Sequence, residues 1–478
     1  MAPLDELRKT KIQKLEKLRS LGINPYPSKF ARKQTCLQAQ KAEGKSVTVV
    51  GRLRGLRGHG GSLFADLIDE SGKIQLFFSK EIVGEKNYEL LKLLDLGDFL
   101  GIEGEVFKTQ AGEITIKVTS FTILAKSIMP LPEKWHGLVD IETRLRKRYV
   151  DLLMNPEVRE MFIKKTKFWQ AVRAYLTKNG FLEVETPVME ATPGGADARP
   201  FITHHNALDT DFYLRISLEL HLKRLIVGGF EKVFEIGRVF RNEGIDVEHL
   251  QEYTEMEFYW AYADYNDLME FLEDFYKYLV KETTGGLKTV HEGQEIDWSK
   301  KWPRLDYCQL FNELAGLDPL KATLNDFYQK AEELKLRSEK NLAPARLIDS
   351  IYKKVVRPTL IQPAFLINLP VVISPLAKRS QENPEITERV LVTACGTELG
   401  NGWSELNDPL DQRQRFIEQQ KMRDSGDEEA QMYDKDFVEA LEYGMPPTAG
   451  WGMSERLFAI LMNKPIRECV FFPMMRKE

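Results

Sequence analysis

Apolar residues recur with different periods in different parts of the chain. Over residues 4–18 they recur every three to five positions, which predicts an amphipathic helix. Over 46–124 they alternate in short runs separated by glycine turns, which predicts strands. Beyond residue 140, helical stretches are interspersed with strands. These strands are connected by turns and not by regular crossover helices, which favours an antiparallel sheet. The pattern therefore predicts an α+β protein with a small β domain ahead of a larger domain.

The small β domain is predicted to be a barrel. Its five strand-like runs span 46–56, 62–69, 73–79, 99–107 and 113–124. A helical stretch at 84–94 lies between the third and fourth runs, which is the order of an OB-fold, a barrel whose open face commonly binds oligonucleotides. Any other small β-barrel is the alternative on pattern alone.

These changes of pattern divide the chain into four segments. They are a leader helix at 1–34, the OB-fold domain at 35–128, a linker at 129–145, and a larger domain at 146–478 with a mostly helical insertion at about 285–344. The leader holds nine Lys and Arg against three Asp and Glu, so its polar face is basic. Such a helix can lie along a phosphate backbone, or it can be an ordinary solvated leader that packs its leucines on a neighbour.

The composition indicates the kind of environment in which the protein is found more than it indicates a function. Hydrophobic residues make up 43% of the 478 positions and charged residues 29%, which is ordinary for a globular protein. No apolar run approaches the ~20 residues that span a bilayer, and the first twenty residues lack the apolar region of a secretory signal. We therefore expect a cytoplasmic protein without a membrane segment. The four cysteines stand far apart, which argues against a zinc site or a disulfide framework.

One cluster of polar residues in the larger domain indicates a nucleotide site. Arg241, Glu243, His249 and Tyr253 belong to a predicted strand–loop–strand, so they come together near one turn. Arg241 offers a planar fork of donors for a phosphate or carboxylate, and Tyr253 offers a face for a purine. Each residue alone could equally be a surface ion pair or a core aromatic, and it is the combination that favours a nucleotide.

Two further clusters are rich in glycine. At 397–409, Glu398, Asn401 and Glu405 alternate with Gly and Trp, which suggests a polar pocket with close backbone approach. At 449–461, a glycine-rich strand leads into a helix whose first turn holds Arg456, a charge that the helix dipole disfavours there. Arg456 could sandwich a base against an aromatic ring, or it could be a surface charge with an ion-pair partner.

The order of these clusters resembles the three signature motifs of the class II aminoacyl-tRNA synthetases. The matching segments are 180–187, 240–253 and 450–456. An OB-fold ahead of such a core narrows the resemblance to the aspartyl, asparaginyl and lysyl enzymes. The segments that resemble the lysyl enzymes are 193–217, 222–230 and 400–408, and the resemblance covers essentially the whole chain.

The resemblance implies an enzyme that activates lysine with ATP and transfers it to the 3′ end of its tRNA. It implies a seven-stranded antiparallel catalytic sheet and a homodimer formed through the first motif. Arg241 and Arg456 would be the catalytic residues, and Arg241 would hold both the α-phosphate of ATP and the lysine carboxylate. The residues implied to bind ATP are Arg241, Glu243, His249, Tyr253, Glu398 and Arg456.

Mg²⁺ is the cofactor that the resemblance implies, with Glu398 as a ligand. Family members commonly have a second acidic ligand seven residues earlier, where this chain has Leu391. Either fewer metal ions bind, or Glu398 and the ATP phosphates hold them together with water.

A pocket for lysine needs acidic contacts at both ends because the substrate carries two ammonium groups. The resemblance assigns Glu219 and the carbonyl of Gly195 to the α-amino group, and Arg241 and Asn401 to the carboxylate. The residues assigned to the ε-ammonium are Glu257, Tyr259 and Glu405. An acidic pocket end rejects aspartate by charge repulsion.

Four residues of the predicted barrel correspond to anticodon readers of the same family. They are Arg57, Phe64, Gln75 and Glu113. An aromatic ring for stacking and an amide for a uracil edge suit single-stranded RNA.

Three other functions compete with this interpretation. A relative that attaches lysine to a protein would lack the predicted barrel. An inactive RNA-binding relative would be expected to lose Arg241 or Arg456, and both are present. A synthetase for aspartate or asparagine would not carry Glu257 and Glu405 in its pocket.

Overall fold

The computed structural model describes residues 4–59, 61–132, 140–244, 250–336 and 344–476. The chain divides into two compact units, Met1–Asp140 and Ile141–Glu478. The finer boundaries of leader, barrel and linker stay predictions.

The first unit is built on a barrel. Its helices are α1 (Leu4–Ser20), α2 (Cys36–Gln40), α3 (Lys80–Val83) and α4 (Glu85–Leu90), and its strands are β1 (Ser46–His59), β2 (Ser62–Ile68), β3 (Lys73–Ser79), β4 (Phe99–Lys108) and β5 (Ile114–Ala125). The strands close in the order β1-β2-β3-β5-β4, with α3 and α4 between β3 and β4. Among the described strands of the barrel, only β3 and β5 pair in parallel. This order confirms the OB-fold that the sequence predicts.

Helix α1 packs its leucine face on the barrel. Leu15 and Leu18 are buried, and Leu18 belongs to the same apolar core as Val49 and Leu76 of the strands. The ammonium of Lys11 donates to the carbonyl of Leu96 at 3.1 Å. The helix is therefore part of the first unit, as expected for a leader that packs its leucines on a neighbour.

The second unit contains eleven α-helices within its described residues. They are α5 (Ile141–Arg146), α6 (Arg148–Met154), α7 (Pro156–Lys178), α8 (Glu219–Val227), α9 (Tyr265–Thr284), α10 (Tyr307–Ala315), α11 (Leu324–Glu333), α12 (Pro344–Val355), α13 (Pro409–Asp424), α14 (Lys435–Glu442) and α15 (Arg456–Leu461). Its strands are β6 (Leu182–Glu183), β7 (Met189–Glu190), β8 (Ile202–His205), β9 (Thr210–Leu214), β10 (Lys232–Phe240), β11 (Glu252–Ala261), β12 (Lys288–His291), β13 (Gln294–Asp297), β14 (Arg304–Asp306), β15 (Ala364–Ile367), β16 (Arg389–Ala394), β17 (Thr397–Ser404) and β18 (Thr448–Ser454).

Its main sheet has the strand order β14-β15-β16-β17-β18-β11-β10-β6. The six inner strands are antiparallel, as the sequence pattern predicts. The expected count of seven strands is wrong for the described chain, because β14 and β6 add short parallel strands at the two edges. Parallel neighbours need a crossover connection, and α10 to α12 supply one between β14 and β15. The sheet is therefore mixed.

The two faces of this sheet differ in chemistry because successive side chains of a strand point to opposite faces. One face carries Phe234, Phe258, Val392 and Trp451, which are buried in one apolar cluster with residues of α7, α9 and α15. The other face is bordered by α8, α13 and α14 and holds the polar residues of the candidate site. No helix in the described part of the chain has both the length and the apolarity that a membrane span requires.

Replacing Leu18 with alanine should loosen the barrel. Leu18 has no exposed surface, so the change leaves a cavity between α1 and the strands and should cost about 3 kcal/mol. Hydrogen exchange of the barrel amides in the full chain measures this loss of opening free energy. Leu7→Ala on the same helix is the matched control, because Leu7 is 42% exposed and its loss should cost under about 0.5 kcal/mol. Equal effects of the two changes would contradict the packing of α1 on the barrel.

Candidate active site

A cavity of about 240 Å³ lies on the polar face of the main sheet. Its floor includes Gly450 and Gly452 of β18, which point to the same face because they are two residues apart. A β-carbon on Gly450 would stand 2.1 Å from Oε1 of Glu405 and 2.5 Å from the ring of Tyr259. The absence of a side chain at this position is therefore what opens the cavity.

The cavity brings together all seven residues that the sequence assigns to lysine binding. They are Gly195, Glu219, Arg241, Glu257, Tyr259, Asn401 and Glu405. They come from α8, β11, β17, the segment between β7 and β8, and the positions that follow β10 and β17. The fold therefore brings together Gly195 and Glu405, which are 210 positions apart in the sequence.

Glu257 is held rigidly in the cavity wall. Its Oε1 accepts hydrogen bonds from the Ser217 hydroxyl at 2.7 Å and from the Leu218 amide at 2.9 Å. Its Oε2 accepts from the Tyr259 hydroxyl at 2.9 Å. Burial raises the pKa of Glu257, and these three hydrogen bonds oppose that shift by favouring the carboxylate form.

Glu405 presents one free oxygen to the cavity. Its Oε2 accepts from Nε1 of Trp403 at 2.8 Å and is also in contact with Nζ of Lys223. Its Oε1 is buried and has no hydrogen-bond partner among the described residues. A buried, unpartnered carboxylate oxygen is costly unless a ligand completes it, so this atom marks a position for a cation or another donor.

Lys223 is one residue of this site that sequence reasoning missed. It lies on α8 one turn after Glu219, with no exposed surface, and its Nζ donates to Oε1 of Glu219 at 2.5 Å. The available signal was position, because Lys223 shares the buried face of α8 with Leu220 and Ile226. A lysine at a buried helix position needs an acidic partner.

The electrostatics of the cavity favour a cationic ligand. Five acidic side chains and two arginines are among the described residues that line it. Burial raises the pKa of Glu219, Glu255 and Glu405, and the charge of Lys223 opposes that shift in Glu219 and Glu405. A second ammonium entering the cavity would stabilise the ionised carboxylates further.

The opposite end of the cavity offers donors suited to an anion. The Nε of Arg389 donates to Oδ1 of Asn401 at 2.9 Å, which leaves the amide hydrogens of Asn401 for a ligand. Arg389 is itself held by the Ile373 carbonyl at 2.5 Å and the Ser374 hydroxyl at 3.0 Å. Arg241 also lines this cavity and donates through Nε to the carbonyl of Ile216 at 3.3 Å. Sequence reasoning did not single out Arg389, which orients Asn401.

The residues predicted to bind ATP adjoin this cavity. The guanidinium carbon of Arg241 lies 5.4 Å from the ring centroid of Tyr253. Burial raises the pKa of Tyr253 far above its usual value, while the positive charges of Arg241 and Arg456 act against that shift. Arg456 donates to the backbone carbonyl of Glu398 at 3.3 Å, and Glu243 acts electrostatically on Tyr253. The predicted site residue at position 249 lies outside the described residues.

Glu455 anchors Arg456, and the sequence alone did not reveal this role. One oxygen of the buried Glu455 carboxylate accepts from the Thr254 amide of β11 at 3.1 Å. The other oxygen pairs with Lys165 of α7, which also donates to the Cys469 carbonyl at 2.8 Å. The start of α15 is thereby tied to β11 and α7, which restricts the position of Arg456.

In the first unit, the barrel surface carries a row of aromatic rings. Phe64 of β2 lies 5.0 Å from Phe77 of β3 between ring centroids, and Phe77 lies 6.1 Å from Phe107 of β4. The three rings are each only partly buried. The sequence prediction named Phe64 and missed Phe77 and Phe107, although both belong to predicted strands.

Of the polar residues predicted to read the anticodon, Arg57 lies on β1, Gln75 lies on β3 and Glu113 directly precedes β5. Arg57 is paired in register with Phe64, and its guanidinium contacts Asp66 at 3.3 Å. The amide of Gln75 donates to Glu113 at 2.9 Å and accepts from the Thr115 hydroxyl at 2.9 Å. Gln75 is therefore held in one orientation.

Comparison with known families is consistent with both units. The family model described as tRNA synthetases class II (D, K and N) matches residues 140–476. The chain belongs to this family. The model of the OB-fold nucleic acid binding domain matches residues 47–124.

Several curated relatives match nearly the whole chain. Proteins from Thermoanaerobacter sp. (strain X514), Carboxydothermus hydrogenoformans and Bacillus subtilis (strain 168) are 48%, 47% and 44% identical to it. Each match covers 99% of this chain, and it covers 96%, 98% and 98% of the respective relative. All three are named lysine–tRNA ligase. Within the class II synthetases, the chain is a member of the lysine–tRNA ligase family.

Replacing Gly450 with alanine should destabilise the second unit. The new β-carbon would collide with Glu405 and Tyr259, and such overpacking costs about 1–3 kcal/mol. Gly452→Ala is the matched control on the same strand and face, because its β-carbon would meet Glu257 only at 3.4 Å. Urea unfolding followed by tryptophan fluorescence measures the difference. Equal midpoints for the two variants would contradict the close approach of Glu405 to the cavity floor.

Proposed function

We propose that this lysine–tRNA ligase binds lysine in the cavity with its ε-ammonium on Glu405. The observation that carries the proposal is the buried, unpartnered Oε1 of Glu405 above Gly450. The enzyme activates lysine with ATP to lysyl-adenylate and pyrophosphate, and then transfers the lysyl group to the 3′ end of its tRNA.

The two ends of the cavity match the two ends of the substrate. Glu257 and Tyr259 assist Glu405 at the ε-ammonium, and Glu219 with the carbonyl of Gly195 receives the α-amino group. Arg241 and Asn401 receive the carboxylate. The acidic lining supports lysine over aspartate or asparagine, because a like-charged carboxylate would be repelled and an amide would leave the buried acids unpaired.

Arg241 and Arg456 are the proposed catalytic residues for activation. The lysine carboxylate attacks the α-phosphate of ATP, so no protein nucleophile is needed and positioning with charge stabilisation carries the reaction. Arg241 is suited to this because it lines the amino-acid cavity and also adjoins Tyr253. We propose Tyr253 and Arg456 for the adenine, and Glu243, His249 and Glu398 for the rest of ATP.

The residues near Glu398 fit a Mg²⁺ ion that phosphates help to hold. Among the described residues, no three His, Cys, Asp or Glu side chains converge as a metal site. Leu391 is only 2% exposed and packs in an apolar cluster with Leu366, so it offers no oxygen. Mg²⁺ is commonly held by one or two carboxylates plus substrate phosphates, and Glu398 supplies one. When bound, the ion would neutralise charge on the ATP phosphates.

We further propose that the barrel binds the anticodon of the tRNA and that the enzyme is a homodimer. The half-buried rings of Phe64 and Phe77 provide faces for bases, and Arg57, Gln75 and Glu113 provide hydrogen-bonding groups beside them. The segment after α7 exposes Leu182, Val188 and Met189, which supports a partner subunit at the first motif. Cytoplasmic residence stays a prediction of the sequence.

Replacing Glu405 with glutamine should weaken lysine binding selectively. The variant keeps the shape of the side chain but removes the buried charge, so the KM for lysine should rise about 100-fold. The KM for ATP should change less than about twofold, because no ATP-binding role is assigned to Glu405. The measurement is ATP–pyrophosphate exchange with each of the twenty amino acids.

The control for this experiment is Glu439→Gln, which alters an exposed glutamate on α14. It should leave both constants unchanged. Exchange by the parent enzyme with aspartate or asparagine in place of lysine would overturn the pocket assignment. A Glu405→Gln enzyme with an unaltered KM for lysine would place the ε-ammonium elsewhere.

Replacing Phe64 with alanine should weaken tRNA binding without affecting activation. A lost stack costs about 1–3 kcal/mol per base, so tRNA affinity should fall about 10- to 100-fold. Filter binding of the lysine tRNA measures the affinity, and ATP–pyrophosphate exchange without tRNA should be unchanged. Phe99→Ala is the control. Phe99 is an exposed aromatic residue of the barrel, but its ring packs against the guanidinium of Arg52 and is not in the row formed by Phe64, Phe77 and Phe107. Equal losses for the two variants would count against a base stacked on Phe64.

A further inference from the structure

Lys223 connects the two glutamates proposed to bind opposite ends of the substrate. Its Nζ lies 2.5 Å from Oε1 of Glu219 and is in contact with Oε2 of Glu405, and the side chain is fully buried. One ammonium therefore holds one oxygen of each carboxylate. The remaining oxygen of Glu405 is one of the buried cavity atoms without a hydrogen-bond partner among the described residues.

We propose that Lys223 is a positioning residue of the lysine pocket, which orients Glu219 and Glu405 so that one oxygen of each stays available to a substrate ammonium. This inference rests on the proposed lysine-binding role of the cavity. Lys223 does not touch the substrate. It acts through the two glutamates.

The contacts of Lys223 restrict the direction in which its ammonium group can donate hydrogen bonds. An ammonium has three donor hydrogens, and two of them are directed to Glu219 and Glu405. On its remaining side, the ring of Phe437 of α14 lies 5.7 Å from Nζ. Because Lys223 is anchored on α8 and packed against this ring, its ammonium holds the carboxylates of Glu219 and Glu405 in fixed positions.

Removing this charge would leave two carboxylates close together in a buried space. Two acids that share one small volume cannot both ionise at little cost, so one of them would take a proton. Among the described residues, Glu257 and Tyr259 of β11 also face Lys223 and its partners, and the charge of Arg241 acts on Glu257. Glu257 adds negative charge and Tyr259 is held neutral by burial, so neither replaces the lysine. A protonated pocket would bind a substrate ammonium poorly.

The buried lysine contacts one oxygen of each glutamate, so the second oxygen of each is a position to which a ligand can donate. Each position matches one ammonium of a substrate with a cation at both ends. Without Lys223, protons or solvent cations would compete with the substrate for the same oxygens.

Lys223→Met should convert lysine binding into a pH-dependent process. At pH 7 the KM for lysine should rise about 30-fold, because a proton must leave a carboxyl group before the substrate binds. As the pH is raised towards 9 the carboxyl group loses that proton, so the ratio of variant to parent KM should narrow. The KM for ATP should stay within about twofold at every pH. ATP–pyrophosphate exchange between pH 6.5 and 9 measures the KM for lysine, the KM for ATP and the change of each with pH.

Calorimetry gives a second, independent readout. Lysine binding measured in two buffers of different ionisation enthalpy reports the protons released. The Lys223→Met variant should release about one proton more per lysine than the parent at pH 7. ATP binding by the variant reports whether it is folded. If the methionine variant does not bind ATP, Lys223→Gln gives the same comparison with a neutral side chain that still donates a hydrogen bond.

Lys435→Met is the matched control, because it removes an exposed lysine from α14. It should change neither the KM for lysine nor proton release. If the KM ratio for the Lys223 variant is constant across the pH range and its proton release equals that of the parent, Lys223 only packs the pocket and the proposal is wrong. Absence of lysine-dependent exchange in the parent would instead refute the proposed function.

Discussion

Opposite chemistry on the two faces of the main sheet is the constraint on which the site depends. The apolar face packs Phe258 and Trp451 against α7, α9 and α15, and this burial favours the observed register of the strands. Register then dictates the other face. A shift of one residue would move Glu257 from the cavity into the apolar layer, where its charge would have no partner. The site chemistry is therefore protected by the packing of residues that take no part in it.

Charge balance is the second requirement of the cavity. Glu219, Glu257 and Glu405 are all buried, which is costly unless each is hydrogen-bonded or paired. Glu257 is satisfied by neutral donors, and Glu219 and Glu405 share Lys223. The carboxylate of Glu257 is therefore fixed by hydrogen bonds within the protein, whereas those of Glu219 and Glu405 remain partly available to a ligand. In the proposed function, the ammonium groups of the substrate lysine donate to the oxygens of Glu219 and Glu405 that Lys223 does not contact.

Several features could be predicted from the sequence because they depend on local pattern. The five barrel strands and the helical segment between the third and fourth follow from alternation and glycine turns, and the structure confirms them. The cluster around Arg241 and Tyr253 follows from a strand–loop–strand, and the two side chains lie within 5.4 Å. The edge strand β14 was not predicted because it is only three residues long. Phe77 was missed as a partner of Phe64 because cross-strand neighbours depend on register.

The sequence by itself determined the family, the order of the domains and the residue types of the pocket, since these are carried by long contiguous motifs and by their spacing. Only the tertiary structure decided which of these residues share an atom-to-atom contact. Glu219 and Glu405 lie 186 positions apart, and nothing local in either segment requires one ammonium between them. That contact exists because α8 crosses the polar face of the sheet beside the end of β17, a packing arrangement set by apolar residues elsewhere in the unit. Lys223 therefore gains its role from long-range packing, and motif spacing could not have revealed it.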